Sequence, residues 1–199
     1  MKIVLVGQKW LGTETLRLCM ALGHELAAVY APTPEDRLYQ AAWNEAIPAY
    51  KVSARLTAEM VPAGTDLVVA AHAHCFLDAG ARRQARLGAI GYHPSLLPRH
   101  RGRDAVRWAI HMGEAVTGGT VYWMDDGADT GPIAAQDWCH IRPGETPAEL
   151  WRRQLAPMGL RLFRKVLEEI ENGVITGVPQ DQTVTTWEPA FAGGYLKEG

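Results

Sequence analysis

The sequence predicts an α/β protein, an open and mostly parallel twisted sheet with helices on both faces. Three observations predict it. Residues 2–30 complete a strand–helix–strand unit. The same alternation then continues along most of the chain. The strand candidates are continuous apolar runs such as KIVLV and DLVVAA, the pattern of strands buried on both faces.

Taken in order, residues 2–6 form an apolar run that ends at Gly7. Residues 14–22 place Leu16, Cys19, Met20 and Leu22 at helical spacing, and Gly23 stops the helix. Residues 25–30 return to an apolar run closed by Pro32 and Pro34. A helix is expected over 36–46, strands over 49–52 and 66–71, and a basic surface helix over 79–86. Residues 89–92 form a short strand, after which Pro94 and Pro98 force an extended or turning path. A helix over 103–111, strands over 119–124 and 133–138, and a long helix over 146–171 complete the pattern, with Pro157 expected to kink or interrupt the last. The expected organisation is a catalytic domain over 1–180 and a loosely held tail over 181–199, with Gly193, Gly194 and Gly199 near its end.

The bulk properties narrow the function classes. The chain has 199 residues, 47% hydrophobic and 21% charged, which suits one ordinary globular domain. A net charge of −2 argues against a nucleic-acid partner. Cys19, Cys75 and Cys139 lack CxxC spacing, so neither a metal nor a disulfide framework is expected. The opening MKIVLVG runs straight into a strand rather than a signal core, and no apolar run is long enough to span a membrane, so the expected location is cytoplasmic.

In open α/β sheets ligands gather beyond the carboxyl ends of the strands, which directs attention to the loops after residues 6, 71, 92 and 124. The first loop, GQKWLG, lacks the middle glycine of a dinucleotide fingerprint: Lys9 stands there and would crowd a pyrophosphate. It reads as a strand-to-helix turn needing small residues. The third loop follows His93, pinned at a strand end by Pro94 and chemically suited to proton exchange near neutral pH. Alone, a His-Pro pair reads more simply as a loop cap. The fourth, DDGADTGP, puts three carboxylates and two glycines in eight residues. An aspartate from it near His93 would orient the imidazole and favour its protonated form, although such a loop is also an ordinary turn stabilised by aspartates.

Together, HPSLLPRHRG and DDGADTGP resemble the folate-dependent formyltransferases. The tract YHPSLLPRHRG at residues 92–102 is most similar to the hydrolase domain of 10-formyltetrahydrofolate dehydrogenase, as are the opening KIVLVGQ and WMDDGADTG. The resemblance covers residues 1–173 and implies a Rossmann-like formyltransferase fold. It implies 10-formyltetrahydrofolate as formyl donor, a small-molecule acceptor, and no metal. His93 would be the catalytic acid/base and Asp129 its electrostatic partner. Cys75, Phe76 and Leu77 would receive the folate largely through backbone groups. Ser95, Leu96, Leu97 and Pro98 would wall its pocket, and Asp125, Asp126 and Asp129 would border the pterin, the first two more as loop structure than as chemistry. Attack on the formyl carbon gives a tetrahedral oxyanion that protonated His93 would stabilise before the folate nitrogen leaves.

One departure stands out. Most transferases of the family carry asparagine two residues before the histidine, where this chain has Gly91. Three outcomes stay open: transfer to a small amine, hydrolysis with water as acceptor, or folate binding with impaired catalysis. GQKWLG does not match the phosphate loop of glycinamide ribonucleotide formyltransferase. The chain also ends near where the tRNA-directed enzymes begin a further domain, so the expected acceptor is small. Trp10, Trp108 and Trp123 are candidates for ring stacking or for core packing, His72 and His74 for a metal with no third ligand in view, and Arg99, His100, Arg101, Arg103 and Arg107 for a basic patch meeting an anionic group or for a solvated helix face.

Overall fold

The computed structural model describes residues 1–191. A seven-stranded sheet organises the chain. Its strands are β1 (Lys2–Gly7), β2 (Glu25–Ala31), β3 (Ala49–Lys51), β5 (Leu67–Ala71), β7 (Ala89–His93), β8 (Val116–Trp123) and β9 (Ile133–His140), in the spatial order β3-β2-β1-β5-β7-β8-β9. The pairs from β3 to β7 are parallel, and β7–β8 and β8–β9 are antiparallel. A second sheet pairs only β4 (Arg55–Leu56) with β6 (Phe76–Leu77).

Both faces of the main sheet are covered. Ile3 and Leu5 point into one core with Leu11 and Leu16 of α1 (Lys9–Ala21), Leu38 of α2 (Arg37–Asn44) and Phe163 of α6 (Ala156–Glu171). Val4, Val6, Val68 and Ala70 point into the other, with Leu77 and with Ala81 of α3 (Ala79–Gln84). The period-two alternation explains why β1 and β5 carry apolar residues at successive positions. Helix α4 (Ala105–His111) connects β7 to the antiparallel β8.

The elements follow the expected order with shifted ends. Helix α1 starts at Lys9, five residues before the expected start, because Gly7 lets it begin directly off β1. A Cβ on Gly7 would lie 2.2 Å from the Ala71 carbonyl oxygen, and one on Gly12 3.0 Å from Leu38. The small-residue turn is therefore a packing requirement between β1, β5 and the two helices. The interruption expected at Pro157 is a π-helical turn at Trp151–Leu155 between α5 (Pro147–Leu150) and α6. Pro157 brings no N–H to the ladder there, and the turn absorbs the loss. The expected basic surface helix is α3, and one of its arginines, Arg82, is buried.

The boundary expected at residue 180 falls within a run of contacts. The Arg101 amide donates to the Thr186 carbonyl at 3.1 Å, the Trp108 indole to the Pro189 carbonyl at 2.9 Å, and the Phe191 amide to Asp104 at 3.0 Å. Glu188 is buried. The part of the expected tail with Gly193, Gly194 and Gly199 lies outside the described residues.

Candidate active site

His93 closes β7 and its side chain is 9% exposed. Its Nε2 lies 2.6 Å from the carbonyl oxygen of His100. A carbonyl only accepts, so Nε2 carries hydrogen and Nδ1 is the ring nitrogen left to take or give a proton. Nδ1 faces Asp129 Oδ2 at 3.5 Å, an ion-pair separation rather than a hydrogen bond. The two groups that the sequence singled out thus meet in space, one on the end of β7 and the other in the loop between β8 and β9.

Asp129 is held tightly. Its Oδ2 accepts from the Gly102 amide at 2.8 Å, and its Oδ1 from the Tyr122 hydroxyl at 2.6 Å. Burial, followed by the neighbouring Asp129 charge, pushes the Tyr122 phenol well above its ordinary range, so Tyr122 stays a donor. Asp129 adopts φ +56°, left-handed backbone that aspartate tolerates better than most residues. Gly102 has φ +93°, and a Cβ there would lie 3.1 Å from the Trp187 indole nitrogen. Glycine therefore lets the chain turn its amide onto Asp129 beneath the exposed Trp187 ring.

The SLLP loop is tied down from below. Thr120 on β8 donates to the Ser95 carbonyl at 2.7 Å and accepts from the Leu97 amide at 3.2 Å, and Gln136 donates to the Leu97 carbonyl at 2.9 Å. Ser95 and Leu97 are buried, Pro98 is half-buried, and Leu96 lies over Gly118, where a Cβ would come within 2.6 Å of it. Of the residues expected to receive the folate, Cys75 and Leu77 are buried while Phe76 is exposed beneath the Arg55 guanidinium, 5.4 Å from its ring centroid. Burial raises the Cys75 thiol to about 11.

Asp125 accepts from the Gly127 amide at 3.0 Å and the Thr130 hydroxyl at 2.6 Å, which closes the acidic loop on itself. Asp126 pairs with Arg82, which also donates to the Leu77 carbonyl at 2.6 Å. One buried guanidinium thereby ties the 75–77 segment to the acidic loop, a link the sequence did not suggest.

The position of Gly91 is filled from outside. A Cβ there would lie 3.3 Å from Met124 Sδ and 3.4 Å from Tyr122 Cε1. A thioether is at best a weak acceptor, so neither neighbour that occupies this space can donate to an oxyanion from it, the Tyr122 hydroxyl being spent on Asp129.

Other candidates settle differently. Trp108 is buried and Trp123 partly so, with its indole donating to the Thr176 carbonyl at 2.7 Å; Trp10 is 38% exposed. His72 packs on Trp151 with centroids 4.9 Å apart, and burial lowers its pKa. His74 contacts the Val52 carbonyl at 2.9 Å, and among the described residues no cluster of three or more metal-ligating side chains forms. Sequence reasoning missed Tyr122, seven residues before Asp129, and Gln180 and Arg82, single polar residues whose partners Asp129 and Asp126 lie 51 and 44 residues away.

The family described as formyl transferase matches residues 30–166, the stretch that carries both His93 and Asp129. The chain belongs to the formyl transferase family. Among its relatives is the mitochondrial 10-formyltetrahydrofolate dehydrogenase of Mus musculus, 32% identical over 201 residues, which cover 94% of this chain and 22% of that protein. A methionyl-tRNA formyltransferase from Synechococcus is 43% identical over 104 residues, 52% of this chain and 32% of that one. Among solved structures, glycinamide ribonucleotide transformylase 1 from Symbiobacterium toebii superposes with a TM-score of 0.76 at 22% identity, covering 90% of this chain and 92% of its own. An N-formyltransferase from Helicobacter canadensis, solved with folinic acid and dTDP-3-aminofucose, gives 0.77 at 18% identity, covering 94% and 70%. At these identities the two structures establish a shared formyltransferase fold.

Proposed function

We propose that this chain removes the formyl group of 10-formyltetrahydrofolate at His93 and Asp129 and passes it to a small amine. The observation that carries the reading is the buried approach of His93 Nδ1 to Asp129 Oδ2 at 3.5 Å, with Nε2 already engaged on a backbone carbonyl. The acceptor nitrogen attacks the formyl carbon, the carbonyl oxygen becomes an oxyanion, and the folate N10 leaves with a proton. Nδ1–H stabilises that oxyanion and supplies the proton, while the amine's proton returns to the ring through the same nitrogen. Asp129 faces the ring at 3.5 Å and orients it during the step. The donor would lie against residues 75–77 and 95–98, bordered by the acidic loop of Asp125, Asp126 and Asp129.

Water as acceptor is the second reading, favoured by one feature. The space beside Gly91 holds Met124 and Tyr122 in place of an amide donor. Such a site stabilises the oxyanion less and leaves selection of the nucleophile to its size.

Incubating the protein with 10-formyltetrahydrofolate and following tetrahydrofolate release separates the readings. Transfer predicts slow release alone and stimulation by small amines. Hydrolysis predicts rapid release with no amine added. Folate binding with no release under either condition would reject both. Replacing His93 with asparagine should lower turnover by roughly 10²–10⁴.

A further inference from the structure

We propose that Gln180 is a positioning residue for the formyl-transfer step, fixing the turn that aims Asp129 at His93. Gln180 lies beyond the stretch matched to the family and is 7% exposed. Its Nε2 donates to two carbonyl oxygens of the DTG turn, Asp129 at 2.9 Å and Gly131 at 2.8 Å. Its Oε1 accepts from Arg101, at 3.1 Å from Nε and 2.7 Å from Nη2. Arg101 has only donors and is itself buried, so the amide has one orientation: oxygen towards the guanidinium, nitrogen towards the turn.

This arrangement answers a physical need. Asp129 sits in left-handed backbone, which is unfavourable for a residue with a side chain and persists only where the surroundings over-determine it. The side chain of Asp129 is held by Tyr122 and Gly102, but its main chain is held by Gln180. Two carbonyls pinned by one amide fix the direction in which the carboxylate leaves the turn. Arg101 adds a second link, because it neighbours both His100, whose carbonyl accepts from His93 Nε2, and Gly102, whose amide donates to Asp129. The residue therefore acts through Asp129 and touches neither ring nitrogen.

The inference rests on the proposed chemistry for its kinetic consequence and on geometry alone for its structural one, so the test carries both readouts. Gln180→Glu keeps the volume and the pairing with Arg101 but sets a carboxylate oxygen against two carbonyls. The expected result is a fall in kcat for tetrahydrofolate release of about 10²-fold, the scale of a small misplacement of a reacting group, with KM for 10-formyltetrahydrofolate held within a few-fold. The second readout is the ¹⁵N and ring-proton NMR signature of His93 in the free protein, which should move although Gln180 does not contact that ring. If the wild type shows no turnover, a displaced His93 signature still supports the positioning role while the proposed reaction fails. An unmoved His93 signature, or an unchanged kcat in an active and folded Q180E, overturns the inference. Should Q180E not fold, Arg101→Met leaves the amide in place but free to reverse, and the same two readouts apply with the same outcomes.

Discussion

Replacing Gly91 with asparagine tests whether Met124 occupies the room that a side chain there would need. The first atom of any side chain at residue 91 lands 3.3 Å from Met124 Sδ, 3.4 Å from its Cγ and 3.4 Å from Tyr122 Cε1. These contacts are tight but survivable for a Cβ, whereas the amide beyond it must displace the thioether. Methionine is flexible, so Gly91→Asn alone should cost about 1–2 kcal/mol, the lower part of the range for overpacking. Met124 is only half-buried, so Met124→Ala should also cost about 1–2 kcal/mol, below the figure for a fully buried methionine. Independent effects would sum to about 2–4 kcal/mol. Since the asparagine amide enters the space that the shortened residue vacates, the double variant should recover at least about 1 kcal/mol of that sum. Urea denaturation of all four proteins reads the coupling directly, provided the m value is unchanged. Costs that add to within about 0.5 kcal/mol would show that Met124 is not the occupant and would remove the structural account of the Gly91 departure.

Tyr122→Phe removes the hydroxyl from Asp129 Oδ1; a hydrogen bond to a charged group contributes about 1.5–3 kcal/mol. Asp129 retains 17% side-chain exposure, so water can partly compensate and the loss should fall near the low end, seen as a lower urea midpoint and reduced turnover. An unchanged midpoint and rate would contradict the described anchoring. Glu145 is held at about 2, below its ordinary 4.5, chiefly by hydrogen bonds from Arg153. Its folded pKa is depressed, so its contribution to stability is present above pH 4.5 and is lost as pH falls towards 2. Thermal melts should therefore show the wild type losing more stability over that window than Glu145→Gln, and parallel curves would refute the pairing. Burial lifts Cys19 to about 12 and Cys75 to about 11, so a disulfide reagent at pH 8 should titrate both only after denaturation. Rapid labelling of the native protein would show that the site loops open.

Much of the frame was legible because it rests on local signals. Apolar runs buried on both faces mark β1, β2, β5 and β7, and Pro94 marks the strand end that carries His93. The errors lie where structure depends on single distant contacts. Gln8 offers no side-chain cap, so nothing in the sequence places the start of α1 at Lys9. The two-residue strands Arg55–Leu56 and Phe76–Leu77 are too short to carry a period. Thr186 and Glu188 lie in a polar stretch with proline and no periodicity, which reads as a tail, yet each reaches the HRG segment through one or two hydrogen bonds or ion pairs, and Gln180, at the edge of that stretch, joins Arg101 to the DTG turn.

The same reason changes the meaning of the basic cluster. Counted along the sequence, Arg99, His100, Arg101, Arg103 and Arg107 suggest either a surface waiting for an anion or a solvated helix face. In the fold, Arg99 pairs with Glu114, and the buried His100 ring lies 3.0 Å from Glu114 and 3.1 Å from Glu188. Neither contact of the ring is aligned as a hydrogen bond. Arg101 is committed to Gln180 and Gln182, and Arg107 is 3.9 Å from Asp104. Arg99 and Arg101, with the buried His100 ring, therefore brace the loop between His93 and Gly102 against later parts of the chain. Neutralising Glu114 or Glu188 should consequently act on the loop that sets His93, not on long-range attraction of an anionic ligand. That distinction is measurable, because loss of a brace persists at high ionic strength, whereas the gain in anion attraction that removing a carboxylate would give is screened away.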